Sequence, residues 1–153
     1  RAVRAHPGSP WCMAWVYAMH ATAAAALGGR TTCPRTGGVA KAWIAAGERG
    51  LVRLTAAEAV IPPGQVRPGD VVVFSRASRP EDAPRIRRGE RRAGHVGIVI
   101  TSFWHTSKQL GMHTVEGNVD PPEAGRDGVF HRVRWSGDPR FVGVFRPTLE
   151  VTP

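Results

Sequence analysis

The chain has 153 residues, of which 42% are apolar, and this is enough for one domain with a single hydrophobic core. Its 21 Lys and Arg residues outnumber 12 Asp and Glu residues, which gives a net charge of +9. No apolar run is long enough to cross a bilayer, so we expect no membrane span. The chain begins at Arg1 rather than at Met, so we expect residues 1–153 to be a single domain taken from a longer protein.

The excess of positive charge is compatible with an acidic partner, such as nucleic acid or an anionic wall polymer. The arginines are scattered through predicted loops, without a recognition helix, so we do not expect a nucleic-acid partner. Cys12 and Cys33 are too few for a disulfide framework, although one bridge between them stays open. No CxxC pair is present, and we expect neither a metal nor a cofactor.

The first half of the chain reads as helices followed by a strand. Residues 11–27 contain no Gly or Pro and are rich in Ala, which predicts a helix that ends at Gly28. This helix is apolar almost all round, so we expect it to be buried. Further elements are predicted as a helix over 38–48, a helical turn over 55–60, a turn over 62–70 and a strand over 70–75.

The second half reads as a long loop followed by strands. Residues 76–94 hold seven Arg and three acidic residues, and we expect a surface loop there. Four apolar or alternating runs then predict strands over 95–102, 112–118, 128–135 and 141–147. Helices first and antiparallel strands afterwards indicate the α+β class.

Cys12 is the first candidate for chemistry, because it lies in the first turn of the predicted helix over 11–27. Unpaired N–H groups and the partial positive charge of a helix start favour a thiolate, which is the nucleophilic form of cysteine. Taken alone, a Cys between Trp11 and Met13 is more typical of an ordinary core. Cys33 lies in a Gly- and Pro-containing loop and is the weaker candidate.

A nucleophilic cysteine needs a base within hydrogen-bonding distance, and the chain offers six histidines. His95 is the best placed. It lies between Gly94 and Gly97 at the start of an apolar strand, which gives it a rigid support and small neighbours. The other five are each less suitable. His20 is about 12 Å along the helix from Cys12, His6 and His105 lie in predicted loops, His113 shares a strand face with Val115, and His131 alternates with apolar residues and is expected in the core.

A third polar group usually orients the imidazole of such a pair. In the strand over 112–118, alternation places Glu116 and Asn118 on one face with Thr114. If this strand pairs with the His95 strand, either side chain can hold the far ring nitrogen. The alternative is a solvated strand end at the Gly117-Asn118 turn.

Four motifs, PWCMAWV, VRPGDVVVF, GHVGIVI and TVEGN, occur in this order, and together they resemble the CHAP family of cysteine, histidine-dependent amidohydrolases and peptidases. The resemblance spans roughly residues 8–147. It implies a papain-like α+β fold in which the nucleophile helix packs on an antiparallel sheet. It also implies that Cys12 is the nucleophile, that His95 is the base, and that Glu116 orients His95, with Asn118 assisting or substituting.

The resemblance further implies hydrolysis of bacterial peptidoglycan, at the N-acetylmuramoyl-L-alanine amide or within the stem or bridge peptide. The place of action would be the bacterial cell wall, as a lysin, a remodelling enzyme or a toxin with an immunity protein. Two alternatives stay open: a wall-binding module of the same fold without activity, and a related cysteine amidase with a substrate outside the wall.

Overall fold

We describe the fold from a computed structural model of the chain, for residues 11–55, 61–76, 79–90, 92–119 and 128–151. The helices are α1 (Cys12–Ala26), α2 (Val39–Glu48) and α3 (Asp82–Arg87). The strands are β1 (Gly29–Thr31), β2 (Arg53–Leu54), β3 (Val71–Ser75), β4 (Gly94–Thr106), β5 (Gln109–Val119), β6 (Gly128–Trp135), β7 (Phe141–Phe145) and β8 (Leu149–Val151). The predicted helical turn over 55–60 falls almost wholly outside the described residues.

Six strands form one antiparallel sheet in the order β2-β7-β3-β4-β5-β6, and β1 pairs with β8 in a separate ribbon. Strand β3 is central and buried along its whole length, as its continuous apolar run requires. Val71 and Val73 belong to the core cluster that includes α1, α2 and α3, whereas Val72 and Phe74 belong to a second cluster. The predicted α+β class, with an N-terminal helix packed on an antiparallel sheet, is therefore confirmed.

Helix α1 occupies almost the predicted range, and Gly28 follows it at φ 72°, a conformation that glycine adopts without strain. The expectation that this whole helix is buried was wrong. Met13 and Val16 are fully buried, but Met19 is 42% exposed and most alanines of the last two turns face solvent. Alanine adds little apolar area, so the end of the helix can lie at the surface at small cost.

The Arg-rich segment 76–94 is more ordered than a surface loop. Helix α3 lies within it, and Ala83 and Ile86 of this helix are buried in the core cluster with α1 and α2. In the sequence, this apolar pair is difficult to recognise because charged residues surround it. Among the helices of the described ranges, none has the length and hydropathy that a bilayer crossing demands.

The Pro68-Gly69-Asp70 turn leads into β3 and is held by the Asp70 carboxylate. Asp70 is 1% exposed, and its Oδ2 accepts a hydrogen bond from the backbone N–H of Arg67 at 2.9 Å. Arg146, just after β7, donates to both carboxylate oxygens at 2.8 Å. The turn is therefore tied to the other end of the chain by a bidentate ion pair.

Strands β4 and β5 form a hairpin that is longer than predicted, and His105 lies within β4 rather than in a loop. Strand β6 has the predicted bounds, but its faces are reversed relative to expectation. His131 is exposed and is not a core residue, and Val133 and Trp135 beside it are 42% and 40% exposed. The opposite face of β6 carries Arg134, whose partner is described below.

Candidate active site

Cys12 is the first residue of α1 and follows Trp11, whose carbonyl accepts the first helical hydrogen bond from the Trp15 N–H at 2.9 Å. Its side chain is 2% exposed. The rings of Trp11 and Trp15 lie over Gly117 of β5, where an added Cβ would come within 2.7 Å of Trp11. The absence of a side chain at Gly117 therefore lets the start of α1 approach the sheet closely.

His95 and Glu116 come together where β4 begins and β5 ends. The Nε2 atom of His95 lies 2.8 Å from Oε2 of Glu116. Gly97, two residues after His95, leaves room for this carboxylate, because a Cβ there would lie 2.6 Å from Cγ of Glu116. Cys12 also lies near enough to the imidazole to contribute to the upward shift of the His95 pKa. Since Nε2 faces Glu116, Nδ1 is the ring nitrogen available to sulfur.

The Glu116 carboxylate is fully buried and accepts a hydrogen bond from each of three side chains. Besides His95, Thr114 Oγ1 donates to Oε1 at 2.7 Å, and Arg134 of β6 donates from Nε to Oε1 at 2.8 Å and from Nη2 to Oε2 at 2.5 Å. Burial alone would raise the pKa of Glu116, but the hydrogen bonds and charges of Arg134 and His95 lower this pKa to about 2. Glu116 is therefore a carboxylate near neutral pH.

The His95 imidazole is shifted towards its protonated form. Burial opposes protonation, but hydrogen-bonding and electrostatic interactions with Cys12 and Glu116 raise the pKa of His95 to about 9. The imidazole side chain remains 21% exposed, so one edge of it can be reached from solvent. The arrangement favours an imidazolium between a sulfur atom and a buried carboxylate.

Arg134 was missed by the sequence interpretation. It alternates with Val133 and Trp135, and we assumed that the apolar residues of this strand face inward. The signal that could have found it is Glu116 itself, because a carboxylate on a buried strand needs a cationic partner. The guanidinium also lies 5.4 Å from the Phe74 ring centroid, which fixes its orientation further.

The other candidates lie apart from this cluster. Cys33 is 2% exposed, and burial raises the pKa of its thiol to about 12, so it is held as an unreactive thiol. Cys12 and Cys33 are both free, and no bridge joins them. His113 and His131 contact each other on the exposed face of the sheet. His6 lies outside the described residues. The backbone of Asn118 belongs to β5, but its side chain is not among the described parts of the structure.

No group of three or more His, Cys, Asp or Glu side chains in the described ranges is arranged to hold a metal ion.

The comparison with protein families is decisive for classification: the model of the CHAP domain matches residues 4–118. The chain belongs to the CHAP family. CHAP domains are hydrolases of the amidase and peptidase type, and the matched segment contains Cys12, His95 and Glu116. Arg134 lies beyond it. No curated protein and no solved structure matches this CHAP domain significantly.

Proposed function

We propose that this CHAP domain hydrolyses an amide bond of bacterial peptidoglycan through a covalent acyl-enzyme on Cys12. The observation that carries the proposal is the continuous line of contacts from Cys12 through His95 to the buried Glu116 carboxylate. A cysteine nucleophile, an imidazole base and an orienting group are the three parts that acyl transfer requires. Asn118 keeps the assisting or substituting role that the family resemblance implies.

The mechanism follows from these positions. The Cys12 sulfur attacks the amide carbonyl carbon, and the electron pair of the C=O bond moves onto oxygen. Backbone N–H groups at the start of α1, including that of Cys12, can stabilise this oxyanion. His95 as imidazolium gives its proton to the leaving amine when the C–N bond breaks. The neutral imidazole then removes a proton from water, which attacks the thioester and releases the carboxylate product and the free thiol.

Glu116 acts on His95 rather than on the substrate, since it is fully buried. Its charge stabilises the imidazolium, and its hydrogen bond from Nε2 leaves Nδ1 as the ring nitrogen available to sulfur. Arg134 and Thr114 hold Glu116 in one rotamer, and Arg134 also keeps it ionised. We therefore propose that Arg134 is a positioning residue of the site.

The Arg-rich segment is a weaker candidate for binding an anionic wall polymer than its composition suggested. Arg85, Arg88 and Arg92 all contact Glu90, with nitrogen–oxygen distances of 2.7, 3.3 and 3.5 Å. Arg87 is occupied by the backbone carbonyls of Phe141 and Val142. Most arginines of this segment therefore stabilise the local structure. Action at the cell wall, and an immunity protein if the domain is a toxin, stay proposals that follow from the substrate.

The proposal is tested by incubating the protein with purified peptidoglycan beside a Cys12→Ala control and reading the released fragments by mass spectrometry. We expect fragments only with the intact protein, and their masses identify the bond that is cut. Binding to walls without any release of fragments would favour a wall-binding module. An absence of both, with Cys12 still alkylated rapidly by iodoacetamide, would favour an amidase with a substrate outside the wall.

A further inference from the structure

One face of the β4–β5–β6 part of the sheet is exposed although it is rich in rings and apolar side chains. We call it the ring face, and it comprises Phe103, His105, His113, Val129, His131, Val133 and Trp135. None of these positions carries Lys, Arg, Asp or Glu, in a chain whose net charge is +9. An exposed apolar patch of this kind is more typical of a binding surface than of the rest of a protein surface.

The rings of this face are arranged in contact with one another. Phe103 lies 5.3 Å from His113, and His113 stacks on His131 at 5.0 Å between centroids, with Nδ1 and Nε2 of the two rings 3.1 Å apart. His105 stacks on Trp135 at 5.2 Å with an interplanar angle of 11°. These contacts restrain the side chains in advance, so a ligand would lose little entropy by ordering them.

The ring face is continuous with the proposed active site. Trp135 and His131 lie along β6, and the same row ends at Val129, which pairs with Gly117 of β5. Gly117 is the position covered by the rings of Trp11 and Trp15 at the start of α1. A ligand that lies along β6 from Trp135 to Val129 covers roughly 20 Å at about 3.3 Å per residue and reaches the rings of Trp11 and Trp15, which precede and follow Cys12 in the chain.

We propose that the ring face binds the glycan strand of peptidoglycan and brings the amide between muramoyl sugar and stem peptide to Cys12. The choice of bond rests on the proposed function. Flat aromatic and imidazole surfaces suit the apolar faces of uncharged N-acetyl sugars, and imidazole nitrogens can bond their hydroxyl groups. Stem peptides carry carboxylates, for which guanidinium groups are the matching partners, and the ring face has none.

The test measures binding of the N-acetylglucosamine pentamer by titration calorimetry, in the Cys12→Ala protein so that no turnover interferes. We expect Trp135→Ala and His105→Ala to weaken binding at least about tenfold, because each removes one partner of the stacked pair. Trp104→Ala is the matched control. Trp104 is 50% exposed but pairs with the buried Leu110, on the opposite face of β4, so its loss leaves binding unchanged.

Thermal unfolding of each variant verifies folding, and the exposed positions should tolerate alanine. Equal losses in Trp135→Ala and Trp104→Ala, or no binding by the parent protein, would overturn the proposal. So would a dimer that Trp135→Ala dissociates, seen by light scattering, because the face would then join two copies. Release of wall fragments without pentamer binding refutes the ring face alone. Pentamer binding lost in Trp135→Ala, without wall hydrolysis, refutes the proposed function alone.

Discussion

At the scale of single residues, the site depends on how partner side chains compensate the charge of one buried carboxylate. Glu116 is 0% exposed, and a carboxylate at such a position is unfavourable unless it is paired and hydrogen-bonded. His95 and Arg134 both approach its Oε2, and Thr114 and Arg134 both approach its Oε1. Glu116 therefore links the imidazole to the sheet, and changes to it should reach Cys12 through His95.

Glu116→Gln should lower the pKa of His95 from about 9 and reduce turnover, because it removes the negative charge that favours the imidazolium. The titration of the His95 ring is followed by NMR, and turnover is measured on peptidoglycan. Asn118→Ala is the comparison and should have the smaller effect on both. A midpoint that stays near 9 in Glu116→Gln, or a larger effect of Asn118→Ala, would assign the orienting role to Asn118.

Arg134→Met should destabilise the protein by about 3 kcal/mol, because it leaves the buried Glu116 charge without its strongest partner. Arg134→Lys keeps the charge but loses the bidentate geometry, so it should restore part of the stability and only part of the activity. Urea unfolding gives the stability, and kcat and KM are measured separately. We expect kcat to fall more than KM rises, and an effect on KM alone would place Arg134 in substrate binding instead.

At the scale of elements, the site is built where three elements converge. Helix α1 supplies Cys12 at its start, β4 supplies His95 as its second residue, and β5 supplies Glu116 near its end. Two glycines make this convergence possible, since Gly97 and Gly117 leave space for Glu116 and for the tryptophans of α1. Sequence motifs identified these residues, but their contacts depend on the strand pairing.

Helix α3 should contribute to stability although it lies in a highly charged segment. Ile86 is 0% exposed, so Ile86→Ala should lower the free energy of unfolding by about 2–5 kcal/mol. Val52→Ala is the matched control, because Val52 is 49% exposed and its truncation should change stability by about 0.5 kcal/mol or less. Denaturant unfolding compares the two, and similar small losses would mean that the segment behaves as the surface loop that its composition suggested.

At the scale of the whole molecule, the sequence predicted the α+β order, helix α1, helix α2 and the four later strands of the sheet. It did so because periodicity and Gly and Pro positions report local structure directly. It failed where burial depends on partners distant in the chain. His131 was assigned to the core and Arg134 was not considered, because alternation reveals two faces of a strand but not which one is covered.

The pH dependence of stability should reflect the ion pairs of the site. The pKa of His95 is raised from 6.5 to about 9, so its contribution is complete below pH 6.5 and is lost as the pH rises through about 9. The pKa of Glu116 is lowered from 4.5 to about 2, so its contribution is complete above pH 4.5 and is lost as the pH falls towards 2. Both are therefore complete between pH 4.5 and 6.5.

Urea unfolding of the intact protein should show this window, and Glu116→Gln should flatten the dependence on both sides of it. The same loss of stability at high pH in Glu116→Gln as in the parent protein would show that another group titrates there. Because the window is set by His95 and Glu116, it should also change in Cys12→Ala on the alkaline side, where the sulfur contributes to the shift of His95.

The most direct test of the central claim compares Cys12→Ala with Cys33→Ala in the release of peptidoglycan fragments. Both cysteines are 2% exposed, so the two substitutions are matched in burial and differ in their relation to His95. We predict that Cys12→Ala abolishes release while the protein stays folded, and that Cys33→Ala retains most of it. Loss of release in Cys33→Ala together with normal release in Cys12→Ala would contradict the assignment of Cys12 as the nucleophile.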